Sequence, residues 1–201
     1  DPENKISPEA QIRELEQLAR ENKVAVIGEC GLDFSSAPPG EEDRTKEEQY
    51  YLFEEQIKLA LKLNLPISVH SRKSSDEVIA FLTKKYLSSG KKLRGVLHCY
   101  AAGRKNVAKL LEIGFYFGLD GNLTYDEGLQ NVVEEIPLEN IVLETDSPFL
   151  SPLPNRSLRN EPKNVKITAQ FLAKIKGVQL IEVAETTTKN AVQLFKLNEY
   201  H

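Results

Sequence analysis

Two histidines and two carboxylates stand at matching places along this sequence. Glu29, His70, His98 and Asp146 each close a short apolar run: Val24–Gly28, Leu65–Val69, Leu93–Leu97 and Ile141–Leu143. Imidazole nitrogens mixed with carboxylate oxygens suit borderline divalent cations such as Zn²⁺, Mn²⁺ or Fe²⁺, whereas Mg²⁺ prefers a shell richer in oxygen. Taken singly, His70 or His98 reads equally well as a surface or core histidine. Taken together, four such residues at four strand ends read as a metal site. His201, the third histidine, is terminal and carries no expected role.

For these residues to meet, the runs that precede them must be parallel strands ending on one edge. The sequence supports this. Ser7-Pro8-Glu9 is a cap, a first-turn proline and an acid at the positive end of a helix, and Ile12, Leu15, Leu18 and Ala19 continue on one face. Thr45 and Glu48 have capping-box spacing ahead of Phe53, Ile57, Ala60 and Leu61. Further helices are expected over 75–87, 106–113, 125–135, 162–175 and 179–195, and a further strand over 115–119. A Pro/Gly-rich loop is expected at Ser35–Asp43, and a polar loop at Phe149–Glu161. Near-continuous apolar strands alternating with helices predict an α/β fold with a covered parallel sheet. A (β/α)₈ barrel and an open doubly wound sheet both fit.

Composition narrows the function classes. The 201 residues include 26 Lys and Arg against 30 Asp and Glu, a formal net charge of −4. Such a surface has no general attraction for nucleic acid or anionic membrane, so phosphate binding would need a local basic patch or bound cations. Two cysteines, Cys30 and Cys99, give no disulfide framework, and a reducing, intracellular compartment (cytoplasm or nucleus) is expected. Strand alternation is expected to turn both thiols away from the site, as packing groups. The sequence has no apolar run long enough to span a bilayer. It also lacks His-Glu-x-x-His, Cys-x-x-Cys, Gly-x-x-x-x-Gly-Lys-Ser/Thr, Gly-x-Gly-x-x-Gly and Gly-x-Ser-x-Gly.

Several blocks resemble the signatures of the TatD-related metal-dependent deoxyribonucleases. They are Ile27-Gly28-Glu29-Cys30-Gly31-Leu32-Asp33, Val69-His70-Ser71-Arg72, Leu97-His98-Cys99-Tyr100, Leu143-Glu144-Thr145-Asp146-Ser147-Pro148 and Arg159-Asn160-Glu161-Pro162. The tail with Val183-Ala184, Thr187, Asn190-Ala191 and Leu194-Phe195 is similar too. The loop Phe34–Lys46 and the early helices look most like the TatD domain-containing protein 3 branch. The resemblance implies an amidohydrolase-like (β/α)₈ TIM barrel holding one or two divalent ions (Mg²⁺, Mn²⁺ or Zn²⁺). It implies Glu29 as a shared bridging carboxylate, His70 and His98 as ligands of a second metal, and Asp146 as ligand of the first metal and helper of the attacking water. Glu161 would stand near the site, and Arg72 and Arg159 would contact substrate phosphate. The implied substrate is DNA, as single strands or chain ends, cleaved 3′ to 5′.

The family opens with a His-x-His strand, and no His-x-His occurs in this sequence. A complete barrel runs to about 250 residues. The expectation is therefore one hydrolase domain over 1–201 lacking the first one or two β/α units, with weak or no activity on its own. Two alternatives stay open: a metal-dependent amidohydrolase or esterase acting on a small substrate, and a non-catalytic binding protein.

Overall fold

The computed structural model describes residues 7–37 and 44–197. Helix α1 (Pro8–Glu21) starts where Ser7 Oγ accepts the Ala10 N–H. It is followed by β1 (Ile27–Asp33) and α2 (Lys46–Leu63), whose start carries the expected Thr45–Glu48 capping box. Next come β2 (Ile67–Arg72), α3 (Ser75–Ser88) and β3 (Gly95–Leu97). A 3₁₀ turn at Arg104–Asn106 leads into α4 (Val107–Glu112), then β4 (Tyr116–Leu119). A second 3₁₀ turn at Gly121–Thr124 precedes α5 (Glu127–Val133), and β5 (Ile141–Leu143) follows. The chain ends in α6 (Val165–Lys176) and α7 (Leu180–Phe195). Most of the expected Ser35–Asp43 loop (residues 38–43) and His201 lie outside the described residues.

The five strands form one parallel sheet in the order β1-β2-β3-β4-β5, each hydrogen-bonded to the next. A helix stands between each successive pair of parallel strands and the strand order follows the chain order, as in the sheet of a (β/α) barrel. The register sorts the side chains. Val69 pairs with Leu97, Leu97 with Phe117, and Phe117 with Ile141. This row is buried with Phe53 and Ile57 of α2 and Val78, Ile79 and Leu82 of α3 in the main core. Because strand side chains alternate, the other face carries Ser68 and His70, Val96, Gly118 and Val142. Continued by two residues, that same alternation brings His98, Asp120 and Glu144 to the carboxyl ends of β3, β4 and β5.

Strand β1 departs from the expected Val24–Gly28. It begins at Ile27 and runs through the polar Glu29 to Asp33. Its register against β2 shifts between Ile27 and Cys30, so Gly28 and Glu29 are both exposed between two buried residues. Such an irregularity re-aims one side chain without disturbing the rest of the ladder, which is why simple apolar counting misplaced the strand. Gly31 (φ 151°) lies so close to β2 that a Cβ would collide with the His70 carbonyl.

Candidate metal centre

Glu29 stands between the two histidines. Its Oε2 is 3.8 Å from His70 Nδ1, and its Oε1 is 3.6 Å from His98 Nε2. Asp146 approaches from β5, with Oδ1 3.4 Å from the same His98 Nε2. The structure therefore gathers all four strand-end residues at one mouth. Each imidazole is also held from behind. His98 Nδ1 donates to Glu144 Oε2 at 2.5 Å, and His70 Nε2 donates to Asp33 Oδ2 at 3.2 Å. Asp33 is itself fixed by Ser35, whose N–H and Oγ donate to Oδ1 at 2.8 and 2.5 Å.

A carboxylate on one ring nitrogen makes that nitrogen the donor and leaves the other as a lone pair facing the mouth. This carboxylate–histidine arrangement is the one that orients metal-binding imidazoles, and the donor set fits a divalent cation. The electrostatics agree. Burial alone would lower the His98 pKa, but the Glu144 hydrogen bond and the charges of Glu144, Glu29 and Asp146 outweigh it and raise it to about 9. A proton stands in for positive charge that the site demands.

Local backbone shape places these groups. The His98 N–H extends the ladder to the Val69 carbonyl (2.9 Å) and the Glu144 N–H extends it to the Leu119 carbonyl (3.0 Å). Asp146 then takes a left-handed conformation (φ 53°). Its loop is held by buried Asn160, whose amide donates to the Thr145 and Phe149 carbonyls at 2.6 and 2.7 Å. Asn160 Oδ1 accepts in turn from the Glu161 N–H and from Asn164 Nδ2. Gly118 lies under the Glu144 carboxylate, where a Cβ would collide with Oε1.

Cys30 is buried with its thiol toward the Ser68 carbonyl at 3.6 Å, and burial followed by the Glu29 charge pushes its pKa up to about 12. Cys99 departs from the expectation. Strand β3 ends at Leu97, so alternation no longer governs Cys99, and a φ of 46° turns it inward. Its Sγ lies 3.2 Å from His98 Nε2. Among the described residues, two groups offer ligand atoms close enough to share one ion: His98, Cys99 and Asp146, and Cys99, Asp120 and Glu144. Asp33, Asp120, Glu144 and Asn160 were not singled out from the sequence. Period-two spacing from His98's face would have found Asp120 and Glu144.

Among the described residues, Arg72, Arg159 and Glu161 make no hydrogen bond or ion pair with the side chains of Glu29, His70, His98 or Asp146. Arg72 is exposed at the end of β2, where its carbonyl accepts the Phe34 N–H. Arg159 is exposed in the loop before Asn160, and the Glu161 carboxylate pairs with Lys163.

Comparison with known proteins decides the kinship. The family model for TatD-related DNase matches residues 2–196. This chain belongs to the TatD-related DNase family. A relative in Escherichia coli K12, the uncharacterized metal-dependent hydrolase YcfH, is 35% identical over 189 residues, covering 93% of this chain and 68% of YcfH. Human deoxyribonuclease TATDN3 is 39% identical over 175 residues, covering 87% of this chain and 61% of TATDN3. Among solved structures, the E. coli TatD homologue YjjV superposes with a TM-score of 0.80 at 27% identity, covering 94% of this chain and 70% of YjjV. A hydrolase TatD family protein from Entamoeba histolytica shares the fold at a TM-score of 0.74. The family is therefore that expected from the sequence, while the matches spread over YcfH and TATDN3 alike. Among the described residues, no helix is long and apolar enough to cross a membrane.

Proposed function

We propose that this chain carries a divalent-metal-dependent hydrolase site that cleaves DNA phosphodiester bonds, working from 3′ ends of single strands, within one hydrolase domain. One observation carries the reading. Each imidazole turns one nitrogen toward Glu29 while a carboxylate holds the opposite nitrogen. The family match supports the substrate class, and the 39% identity to TATDN3 supports a grouping with that branch.

Glu29 would be shared between cations, since its two oxygens face different histidines. His70 and His98 would hold a cation as neutral ligands, with Asp33 and Glu144 fixing their tautomers. Asp146 would serve as a ligand and take the proton of the attacking water. One or two cations (Mg²⁺, Mn²⁺ or Zn²⁺) supply Lewis-acid polarisation and a more acidic water when bound. Arg72 and Arg159 contact the phosphate of the incoming strand, and Glu161 stands near the site beside the Asn160 that holds the loop. Net charge −4 repels a polyanion, so the mouth itself must supply the attraction.

The test offers the purified protein 3′- and 5′-labelled single-stranded DNA, RNA, a small phosphoester and a lactone, each with Mg²⁺, Mn²⁺ or Zn²⁺. The expected result is weak, stepwise loss of DNA from the 3′ end that disappears with chelator and in Asp146→Asn, with circular dichroism unchanged. Preference for the lactone or small ester, or DNA cleavage indifferent to Asp146→Asn, overturns it.

A further inference from the structure

Behind the centre lies a second cluster that the hydrolase reading leaves unused. Asp120 is fully buried after β4. Its Oδ1 accepts the Asn122 N–H at 2.7 Å, whereas among the described residues Oδ2 meets no well-aligned donor, and the Cys99 thiol is the one donor group directed at this carboxyl, whose pKa burial raises. A buried carboxylate oxygen without a donor is costly and calls for a counter-group. The Cys99 thiol and the Glu144 carboxylate lie around it, and all three ligand atoms fall within 4.8 Å of one another. Glu144 accepts from the Cys99 N–H through Oε1 (2.6 Å) and from His98 through Oε2. Each of those oxygens keeps a further lone pair. Among the described residues the side chains acting on Asp120 are the Cys99 thiol and the Glu144 and Asp146 carboxylates, and His98 stands on the far side of Cys99 and Glu144.

We propose that Cys99, Asp120 and Glu144 form a distinct subsite for a thiophilic divalent cation, of the Zn²⁺, Co²⁺ or Cd²⁺ class. Sulfur beside carboxylates selects such ions over Mg²⁺ or Mn²⁺. Binding converts the thiol to a thiolate ligand and releases its proton to solvent. The ion would meet the orphaned Asp120 oxygen and offset the crowding of Asp120, Glu144 and Asp146. The subsite does not depend on DNA being the substrate, since it shares with the front centre only the side chains that flank it.

The test is titration of the reduced, metal-free protein with Co²⁺, read by the thiolate-to-cobalt charge-transfer band in the near ultraviolet. The expected result is a saturable band that Cys99→Ser abolishes and Asp120→Asn weakens at least tenfold in affinity, while Glu29→Gln and Cys30→Ser retain it. Asp120→Asn keeps the side-chain shape, and circular dichroism checks each variant. No band at saturating Co²⁺ overturns the subsite and leaves a buried water as the partner of Asp120. A band unchanged in Asp120→Asn overturns it, as does one lost in Glu29→Gln, because the sulfur then serves the front centre alone. Hydrolysis need not be measured, so failure here leaves the DNA reading standing.

Discussion

Replacing Glu144 by Gln would test the logic of the front centre at a residue that acts on its metal through His98. The carboxylate now accepts from His98 Nδ1 at 2.5 Å and from the Cys99 N–H at 2.6 Å. Gln is isosteric, fits over Gly118 as Glu does, and leaves no cavity. Its amide can still accept from Cys99 through its oxygen. Its nitrogen, however, then faces His98 Nδ1 as a donor. To avoid a donor–donor clash, neutral His98 must carry its proton on Nε2, the nitrogen 3.4 Å from Asp146. That closes the lone pair needed for coordination. Loss of such an orienting carboxylate costs about 10- to 100-fold in metal affinity, or about 1.4 to 2.7 kcal/mol at 1.36 per tenfold. Calorimetric titration of Mn²⁺, which the sulfur-containing subsite disfavours, measures the affinity, and the ¹⁵N shifts of the His98 ring report the tautomer. An affinity within twofold of wild type, with Nδ1 still protonated in the variant, would refute the reasoning.

Three further outcomes follow from the same geometry. With His98 raised to about 9 in the metal-free protein against about 6.5 in the unfolded chain, its contribution to stability is full below pH 6.5 and is lost as pH rises through 9. Metal-free protein should therefore lose on the order of 2 kcal/mol across that window, and saturating cation should remove the trend; urea melts at pH 6, 7.5 and 9 decide it. Gly118→Ala should push the Glu144 carboxylate off His98, destabilising the fold by roughly 1 to 3 kcal/mol and copying the metal defect of Glu144→Gln; unchanged metal affinity would contradict this. Asn160→Ala strips donors from the Thr145 and Phe149 carbonyls and should cost roughly 2 to 4 kcal/mol in denaturant stability, with metal affinity falling as Asp146 loosens.

Much of this site was legible because residue type and strand position coincide. His70, His98 and Asp146 follow apolar runs whose ends must share an edge once the sheet is parallel, and the capping box at Thr45 leaves little choice for the start of α2. What stayed hidden has physical reasons. The shift in β1 depends on how that strand pairs with β2, which no local pattern encodes. Cys99 escapes alternation because the strand has already ended and the backbone turns left-handed. Asp33 and Glu144 act on other side chains and not through a motif of their own. In the Arg159–Pro162 block, charge drew notice to Glu161, yet the neutral Asn160 is the residue that binds the mouth.

The grip of Asn160 falls on main-chain carbonyls, so it reads no side chain in the segment it secures. Phe149, Leu153 and Leu158 stand 66%, 45% and 63% exposed along that segment. Their identities can be exchanged while the peptide path, and with it Asp146, stays in place. Side-chain variation along this exposed stretch is thereby uncoupled from the backbone anchor beside Asp146.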